Sequence, residues 1–163
     1  MAKSKHVIGL DIGSSSIKLV QLRETKKGYA LQSFAMAPLP SEAIVDGAIM
    51  NSTAVVDAIQ SLIQSQRIKT KEVAISVSGH SVIIKKISLP RMTEEELEES
   101  IQWEAEQYIP FDINDVNIDV EILNSAADVE QMDVLLVAAK KDMINDYQSV
   151  VLEAGLQTVV VDV

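Results

Sequence analysis

The sequence predicts a mixed α/β protein, and three observations support this class. Short runs in which apolar and polar residues alternate are typical of half-buried strands, whereas other segments repeat apolar residues every three or four positions, as amphipathic helices do. The two kinds of segment alternate along the chain, which is the order found in α/β domains. With 163 residues, of which 47% are hydrophobic, the chain is long enough for one domain or for two small ones that share a sheet.

The charge balance and the absence of cysteine limit the classes of function. The chain has 24 acidic against 14 basic residues, and its net charge of −10 argues against nucleic acid or an anionic membrane surface as the main partner. Because there is no cysteine, there is no disulfide framework, which fits a reducing compartment. The apolar run after the basic N-terminus is interrupted by Asp11, and no apolar stretch reaches 18 residues. We therefore expect a soluble protein without direct membrane insertion.

The first element is a predicted hairpin over residues 7–20, in which two apolar runs flank a glycine–serine turn. Such a turn can present backbone N–H groups and hydroxyls to a phosphate. Asp11, at the end of the first strand, is placed to hold a hydrated divalent cation, and Lys18 can supply positive charge. An ordinary hairpin with a polar turn is the alternative. The candidate phosphate-binding residues are Asp11, Gly13, Ser14, Ser15, Ser16 and Lys18.

A third strand is expected at residues 29–36, followed by a loop that turns at Asp46-Gly47. Asn51 or Ser52 can cap the next segment, a helix with apolar residues at helical spacing. A short buried strand follows at 73–77 and is broken by Gly79. The apolar positions of the helix are Val55, Val56, Ile59, Leu62 and Ile63.

A second unit begins near residue 81 with a strand over 82–89. Thr93 and Glu96 then have the spacing of a capping box, in which each side chain bonds the backbone N–H of the other residue. The helix that they open is expected to run to about Ile109. Its acidic outer side is more typical of a solvated face near a helix N-terminus than of a metal cluster. Its predicted core face is Leu97, Ile101, Ala105 and Tyr108.

Two strands, at 116–123 and 132–139, are expected to pair through the polar link 124–131. A helix over 141–153 follows, with Gly155 placed to end it, and the last strand covers 158–163. Because the chain stops inside an apolar strand, we expect it to be part of a longer protein.

These segments resemble known families. The opening hairpin resembles the first phosphate loop of the actin, Hsp70 and sugar-kinase superfamily, and the second unit resembles the subdomain inserted in FtsA, an actin-like cell-division protein. The strongest resemblance is to the PilM family of type IV pilus assembly. The segments on which it rests are residues 9–18, 44–51, 77–86 and, most specifically, 102–111, which reads Gln-Trp-Glu-Ala-Glu-Gln-Tyr-Ile-Pro-Phe.

The resemblance implies an actin-like ATPase (ribonuclease H-like) fold. Residues 1–80 would form the actin-like subdomain with the first phosphate loop, and residues 81–157 the inserted strand–helix–strand–strand (SHS2) subdomain. Residues 158–163 would return as a strand to the first subdomain, and the second half of the actin-like fold would lie outside this chain.

The resemblance also implies a function. PilM-like proteins are bacterial cytoplasmic scaffolds that bind ATP with Mg²⁺, here near Asp11, with weak or absent hydrolysis and so no catalytic residue. They bind the cytoplasmic N-terminal peptide of a PilN-like inner-membrane protein, which places them at the inner membrane, and they meet other motor-side proteins of the pilus and serve twitching motility. We expect the peptide to bind where the two subdomains join, at Val77, Gly79, His80, Val82 and Ile84.

Two alternatives stay open on the same fold. An FtsA-like division protein would carry a C-terminal amphipathic membrane helix. A sugar- or acetate-kinase-like phosphotransferase would need a general base, which this chain does not display. Trp103 lies off the apolar stripe of its helix and is a candidate partner contact, although packing of the inserted helix on its own sheet also explains the local aromatic residues.

Overall fold

A computed structural model of the protein describes residues 7–124 and 130–163, and it confirms the mixed α/β class. The helices are α1 (Ser52–Ser65), α2 (Glu94–Glu106) and α3 (Lys141–Glu153), with a short 3₁₀ helix at Ile113–Asp115. The strands are β1 (Ile8–Ile12), β2 (Ser16–Thr25), β3 (Gly28–Pro38), β4 (Ile44–Val45), β5 (Ala48–Ile49), β6 (Glu72–Ser76), β7 (Val82–Pro90), β8 (Val116–Asn124), β9 (Gln131–Lys140) and β10 (Gln157–Asp162).

The chain forms two compact units, of which the first contains residues 1–79 and 143–163. Its five-stranded sheet has the order β10-β6-β1-β2-β3. β1, β2 and β3 are antiparallel neighbours, while β6 pairs in parallel with both β1 and β10. Alternate residues of β1 and β2 are buried, and α1, which contacts β2 and β3, adds its own apolar face to the core. The largest core side chains here include Ile8, Ile17, Leu19, Val55, Ile59 and Val73.

The loop expected at Asp46-Gly47 is a tight hairpin between the two-residue strands β4 and β5. Asp46 and Gly47 have φ of 49° and 83°, the two positive values that a type I′ turn requires. The helix that follows is capped by Asn51 rather than Ser52, because the Asn51 Oδ1 accepts a hydrogen bond from the Ala54 N–H at 3.0 Å.

The second unit contains residues 80–142 and forms a three-stranded antiparallel sheet of order β7-β9-β8. The capping box of α2 is confirmed: Glu96 Oε2 accepts from the Thr93 N–H at 2.7 Å, and the Glu96 N–H donates to Thr93 Oγ1 at 3.2 Å. The helix ends at Glu106, three residues before the expected Ile109. Of its predicted core face, Leu97, Ile101 and Ala105 are buried, and Tyr108 packs partly buried against the same cluster.

The second unit is smaller than the predicted inserted subdomain, because it ends at Asp142 rather than at residue 157. From Met143 onward the chain belongs to the first unit, where Met143, Tyr147, Val150 and Val151 of α3 are buried. The helix stops as expected at Gly155, whose φ is 84°. The Gly155 and Leu156 N–H groups donate to the Leu152 and Val151 carbonyls, which is the Schellman arrangement.

β8 and β9 pair antiparallel, with Val116 opposite Lys140, as the hairpin prediction required. Residues 125–129 of the predicted link lie outside the described residues. In the described part of the chain, no helix has the length and apolarity needed to cross a membrane.

Candidate functional site

The predicted phosphate loop forms the turn between β1 and β2. β1 ends at Ile12 and β2 begins at Ser16, so that three residues connect two antiparallel strands. The Gly13 N–H donates to the Ser16 carbonyl at 3.1 Å and closes the turn. An added Cβ at Gly13 would lie only 3.1 Å from that carbonyl oxygen, so glycine suits this close backbone approach.

The turn presents hydroxyl groups to solvent. Ser14 and Ser15 are exposed, whereas Ser16 is half-buried at the start of β2. The Ser15 carbonyl accepts a hydrogen bond from the Leu39 N–H at 2.9 Å, which fixes the turn against the end of β3. The arrangement leaves two hydroxyl side chains on a held backbone, a suitable surface for the oxygen atoms of a phosphate.

Asp11 and Lys18 are brought together by the register of the hairpin. They are direct cross-strand partners, and the Lys18 Nζ lies 2.8 Å from the Asp11 Oδ2. The Lys18 side chain is 41% exposed and the Asp11 side chain 57% exposed, so both charges remain accessible to a ligand. An accessible carboxylate can hold the water shell of Mg²⁺, and an accessible ammonium can meet a phosphate.

A shallow cavity of about 440 Å³ adjoins this ion pair on the same face of the sheet. Val20 and Phe34 give it an apolar floor, and Asp11 and Lys18 lie at its border. The other lining residues are Gly9, Leu10, Ala74, Ile75 and Ser76. An apolar floor can pack against the flat face of a nucleobase, and a charged border can meet charged phosphates.

Tyr147 also belongs to this neighbourhood, although its place in the sequence does not mark it as a site residue. Its hydroxyl donates to the Gly47 carbonyl at 3.1 Å and its ring is buried. Burial raises the pKa of Tyr147, and the negative charge of Asp11 raises it further. The only signal in the sequence was its position on the apolar face of α3, which indicates packing rather than a role near Asp11.

The residues present fit a hydrated cation better than a protein-only metal site. Within residues 7–124 and 130–163, no group of three or more His, Asp or Glu side chains could hold a metal ion. A cation at Asp11 would therefore be held through water and through the phosphates of a nucleotide, as Mg²⁺ usually is.

The residues expected to bind a peptide fall in both units. In the first unit, the Val77 side chain is buried and its N–H donates to the Asp162 carbonyl at 2.9 Å. Gly79 has φ of 105°, and a Cβ there would lie 3.3 Å from the Asp46 carbonyl oxygen. Val77 therefore cannot offer its side chain to a partner, and Gly79 makes a sharp backbone turn.

In the second unit, His80 is exposed, Val82 is half-buried and Ile84 is 56% exposed. Val82 and Ile84 belong to β7, which is an edge of the three-stranded sheet. An edge strand with an exposed aliphatic side chain can pair with an extended peptide, because the outward backbone groups supply hydrogen bonds.

The aromatic residues of the 102–111 segment divide into two kinds. Phe111 is half-buried and lies under the Lys140 Nζ, 4.3 Å from its ring centre, and Tyr108 packs against the core. Trp103 is 80% exposed, which agrees with its predicted position off the apolar stripe.

Comparisons with known proteins assign the family. The sequence model described as type IV pilus assembly protein PilM matches residues 9–163. A chain of a solved structure described as a PilM–PilN type IV pilus biogenesis complex is 33% identical, with a TM-score of 0.86, over 97% of this chain and 47% of that one. The cytoplasmic domain of EpsL, an inner-membrane component of the type II secretion system of Vibrio cholerae, is 14% identical with a TM-score of 0.61, over 96% of this chain and 57% of that one.

These matches confirm the predicted class, an α/β fold of the actin-like ATPase type. The EpsL similarity supports the fold alone. The chain spans about half the length of the PilM–PilN complex chain that it matches. The family model covers almost the whole chain, and the identity exceeds 30% over nearly all of it. The chain therefore belongs to the PilM family of type IV pilus assembly proteins.

Proposed function

We propose that this chain acts in a cytoplasmic scaffold that binds the N-terminal cytoplasmic peptide of a PilN-like inner-membrane protein. The observation that supports this most strongly is the 33% identity, over 97% of the chain, to a chain of a PilM–PilN complex. Through that peptide the scaffold would be held at the cytoplasmic face of the inner membrane, where it could meet other motor-side pilus proteins and support twitching motility.

We place the peptide contact on β7. Ile84 offers an exposed aliphatic side chain there, and Val82 lies two residues earlier on the same face of the strand. The peptide would pair with the outer edge of β7 and set alternate side chains beside these two residues. His80 and Gly79 precede the strand and would meet one end of the peptide. Val77 would contribute by positioning, since its side chain is buried.

We further propose that the full-length protein binds ATP with Mg²⁺ at the β1–β2 turn. Asp11 would hold the water shell of the Mg²⁺, and the hydroxyls of Ser14, Ser15 and Ser16 with the Gly13 backbone would contact phosphate oxygens. Lys18 would exchange its contact with Asp11 for a phosphate. In this proposal nucleotide supports the peptide-binding form of the scaffold, with slow or no hydrolysis.

The division into subdomains follows from the same proposal. Residues 1–79 with 143–163 correspond to the actin-like subdomain, and residues 80–142 to the inserted subdomain of the FtsA type. The strand β10 then returns to β6 within the actin-like sheet.

The test is calorimetric titration of the full-length protein with the N-terminal cytoplasmic peptide of its PilN-like partner, with and without ATP and Mg²⁺. We expect micromolar binding that Ile84→Asp abolishes, because a charge on that face of β7 would be desolvated by the peptide. Leu31→Asp is the matched control, since Leu31 is also exposed on an edge strand, β3 of the first unit. No binding under either condition would overturn the scaffold proposal.

A further inference from the structure

The opposite edge of the second sheet has a groove of its own. The groove has a volume of about 700 Å³ and runs between β8 and α2. It lies entirely within the second unit and includes none of the β7 residues assigned above to the PilN-like peptide. Its lining on α2 is Glu94, Leu97, Glu98, Ile101 and Gln102.

The backbone of β8 has an outer edge that pairs with no other strand of the described residues. The sheet order makes β8 an edge, since no strand of the described residues lies beyond it. The Val120 N–H bonds to the Asp119 Oδ1 at 2.9 Å, that is, to the side chain of the preceding residue. This bond shows that the Val120 N–H points away from β9. By the alternation of an antiparallel ladder, the N–H groups of Ile118 and Ile122 point the same way.

The groove is acidic on both faces of the strand. On the face covered by α2, Glu94 and Glu98 line it, and on the other face Asp119 and Glu121 do. Within residues 7–124 and 130–163, neither Glu94 nor Glu98 forms an ion pair. The one cation of the lining is Lys141, and its Nζ donates to the Asn114 carbonyl at 2.7 Å.

The charges are also separated along the strand. Lys141 follows the residue that pairs with Val116, so it lies at the start of β8. The Arg91 N–H donates to the Glu130 carbonyl, which places the beginning of α2 at the other end of β8. Glu94 is therefore at the end of the groove far from Lys141. A ligand with positive charge toward the end of β8 matches this gradient.

We propose that this groove binds an extended basic segment of a partner protein, which adds to the sheet as a fourth strand beside β8. The segment pairs with the outward backbone groups of β8 and takes over the Val120 N–H from Asp119. Its lysine or arginine side chains meet the carboxylates that line the groove. A second copy of this chain fits poorly, because two β8 edges would bring Asp119 and Glu121 against like charges.

The test measures fluorescence anisotropy of a labelled nine-residue peptide of alternating lysine and valine, added to the full chain. We expect saturable binding that weakens with added salt, whereas the same peptide with glutamate in place of lysine does not bind. N-methylation of alternate residues of the lysine peptide removes the hydrogen-bond donors of one edge. It is expected to weaken binding by more than about tenfold if a strand is added.

Paired variants separate this groove from general charge attraction. Glu94→Gln with Glu98→Gln is expected to weaken binding about fivefold. Glu95→Gln with Glu99→Gln removes the same charge from exposed residues of the same helix outside the groove and is expected to have no effect. Equal loss in both pairs, or equal binding of the N-methylated peptide, would overturn the proposal. Sedimentation could also detect a dimer that the peptide does not dissociate. That result would assign the β8 edge to a second copy of the chain and would overturn the proposal as well.

Discussion

Lys18 and Asp11 face each other across the β1–β2 hairpin, with the ammonium 2.8 Å from the carboxylate at the border of an open cavity. Because both side chains are well exposed, water screens the attraction, and such a pair adds little to stability. The pair is therefore better suited to a ligand than to holding the fold, since either charge can change partner without unfolding the hairpin.

Lys18→Met should separate binding from stability. We expect the free energy of unfolding to change by less than about 1 kcal/mol, and the affinity of the full-length protein for ATP with Mg²⁺ to fall about tenfold. Denaturant unfolding and titration with a fluorescent ATP analogue measure the two quantities. Lys27→Met, in the turn between β2 and β3, is the control. Unchanged nucleotide affinity in Lys18→Met would remove Lys18 from the proposed phosphate site.

A side chain at Gly47 is expected to destabilise the fold. Its φ is 83°, and a Cβ would lie 2.9 Å from the Ser78 carbonyl oxygen and 3.1 Å from the Met143 side chain. Gly28 also has a positive φ, 116°, but open space around it. We expect Gly47→Ala to lower the free energy of unfolding by about 1–2 kcal/mol more than Gly28→Ala. Equal losses in denaturant unfolding would show that the positive φ alone, and not the close contacts at Gly47, determines the cost of both substitutions.

Tyr147→Phe removes the hydrogen bond to the Gly47 carbonyl while keeping the buried ring. We expect a loss of about 1 kcal/mol, measured by denaturant unfolding at neutral pH. A pH titration adds a second readout, because the pKa of Tyr147 is raised above its ordinary value of 10.0 by burial and by Asp11. The phenolate of Tyr147 should form at the highest pH, and its absorbance should be missing from the variant.

The raised pKa of Tyr147 also makes the stability of the fold depend on pH. The folded state favours the neutral phenol, so this contribution is fully present below pH 10 and is lost as the pH rises through the raised folded pKa. The comparison covers pH 9 to the highest pH at which both proteins fold, on the order of pH 11. If Tyr147→Phe and the unaltered protein lost stability equally over this range, burial of the Tyr147 phenol would not be a cause of the loss.

The capping box of α2 predicts an acid-side dependence. The hydrogen bond from the Thr93 backbone lowers the pKa of Glu96 below its ordinary value of 4.5, and the bond from the Thr93 hydroxyl acts in the same direction. Its stabilising effect is present above pH 4.5 and is lost as the pH falls through the lowered folded pKa. The melting temperature of Glu96→Gln should therefore fall below that of the unaltered protein at neutral pH and approach it in acid. Glu95→Gln, in the same helical turn but outside the box, should show no such convergence.

Local features were predicted well because nearby residues determine them. The Thr93–Glu96 box and the helix stop at Gly155 each depend on a few consecutive positions, and both are confirmed. The meeting of Asp11 and Lys18 also follows from local geometry, since a three-residue turn fixes which residues of a hairpin are opposite each other.

Features that depend on distant contacts were not predicted. The helix α3 was assigned to the second unit by its place in the chain, yet Tyr147 bonds to Gly47, 100 positions earlier. No periodicity in the sequence distinguishes one apolar surface from another as the partner of an amphipathic helix. For the same reason, the nearness of Tyr147 to Asp11 became clear only in the structure.

The central claim is that the chain binds a PilN-like peptide along β7. Hydrogen exchange of the full-length protein, measured with and without that peptide, tests it most directly. The account predicts that added peptide slows exchange of the amides of Val82–Pro90 while those of Val116–Asn124 are unchanged, and that Ile84→Asp removes the effect. Unchanged exchange along β7 in the presence of saturating peptide would contradict the account.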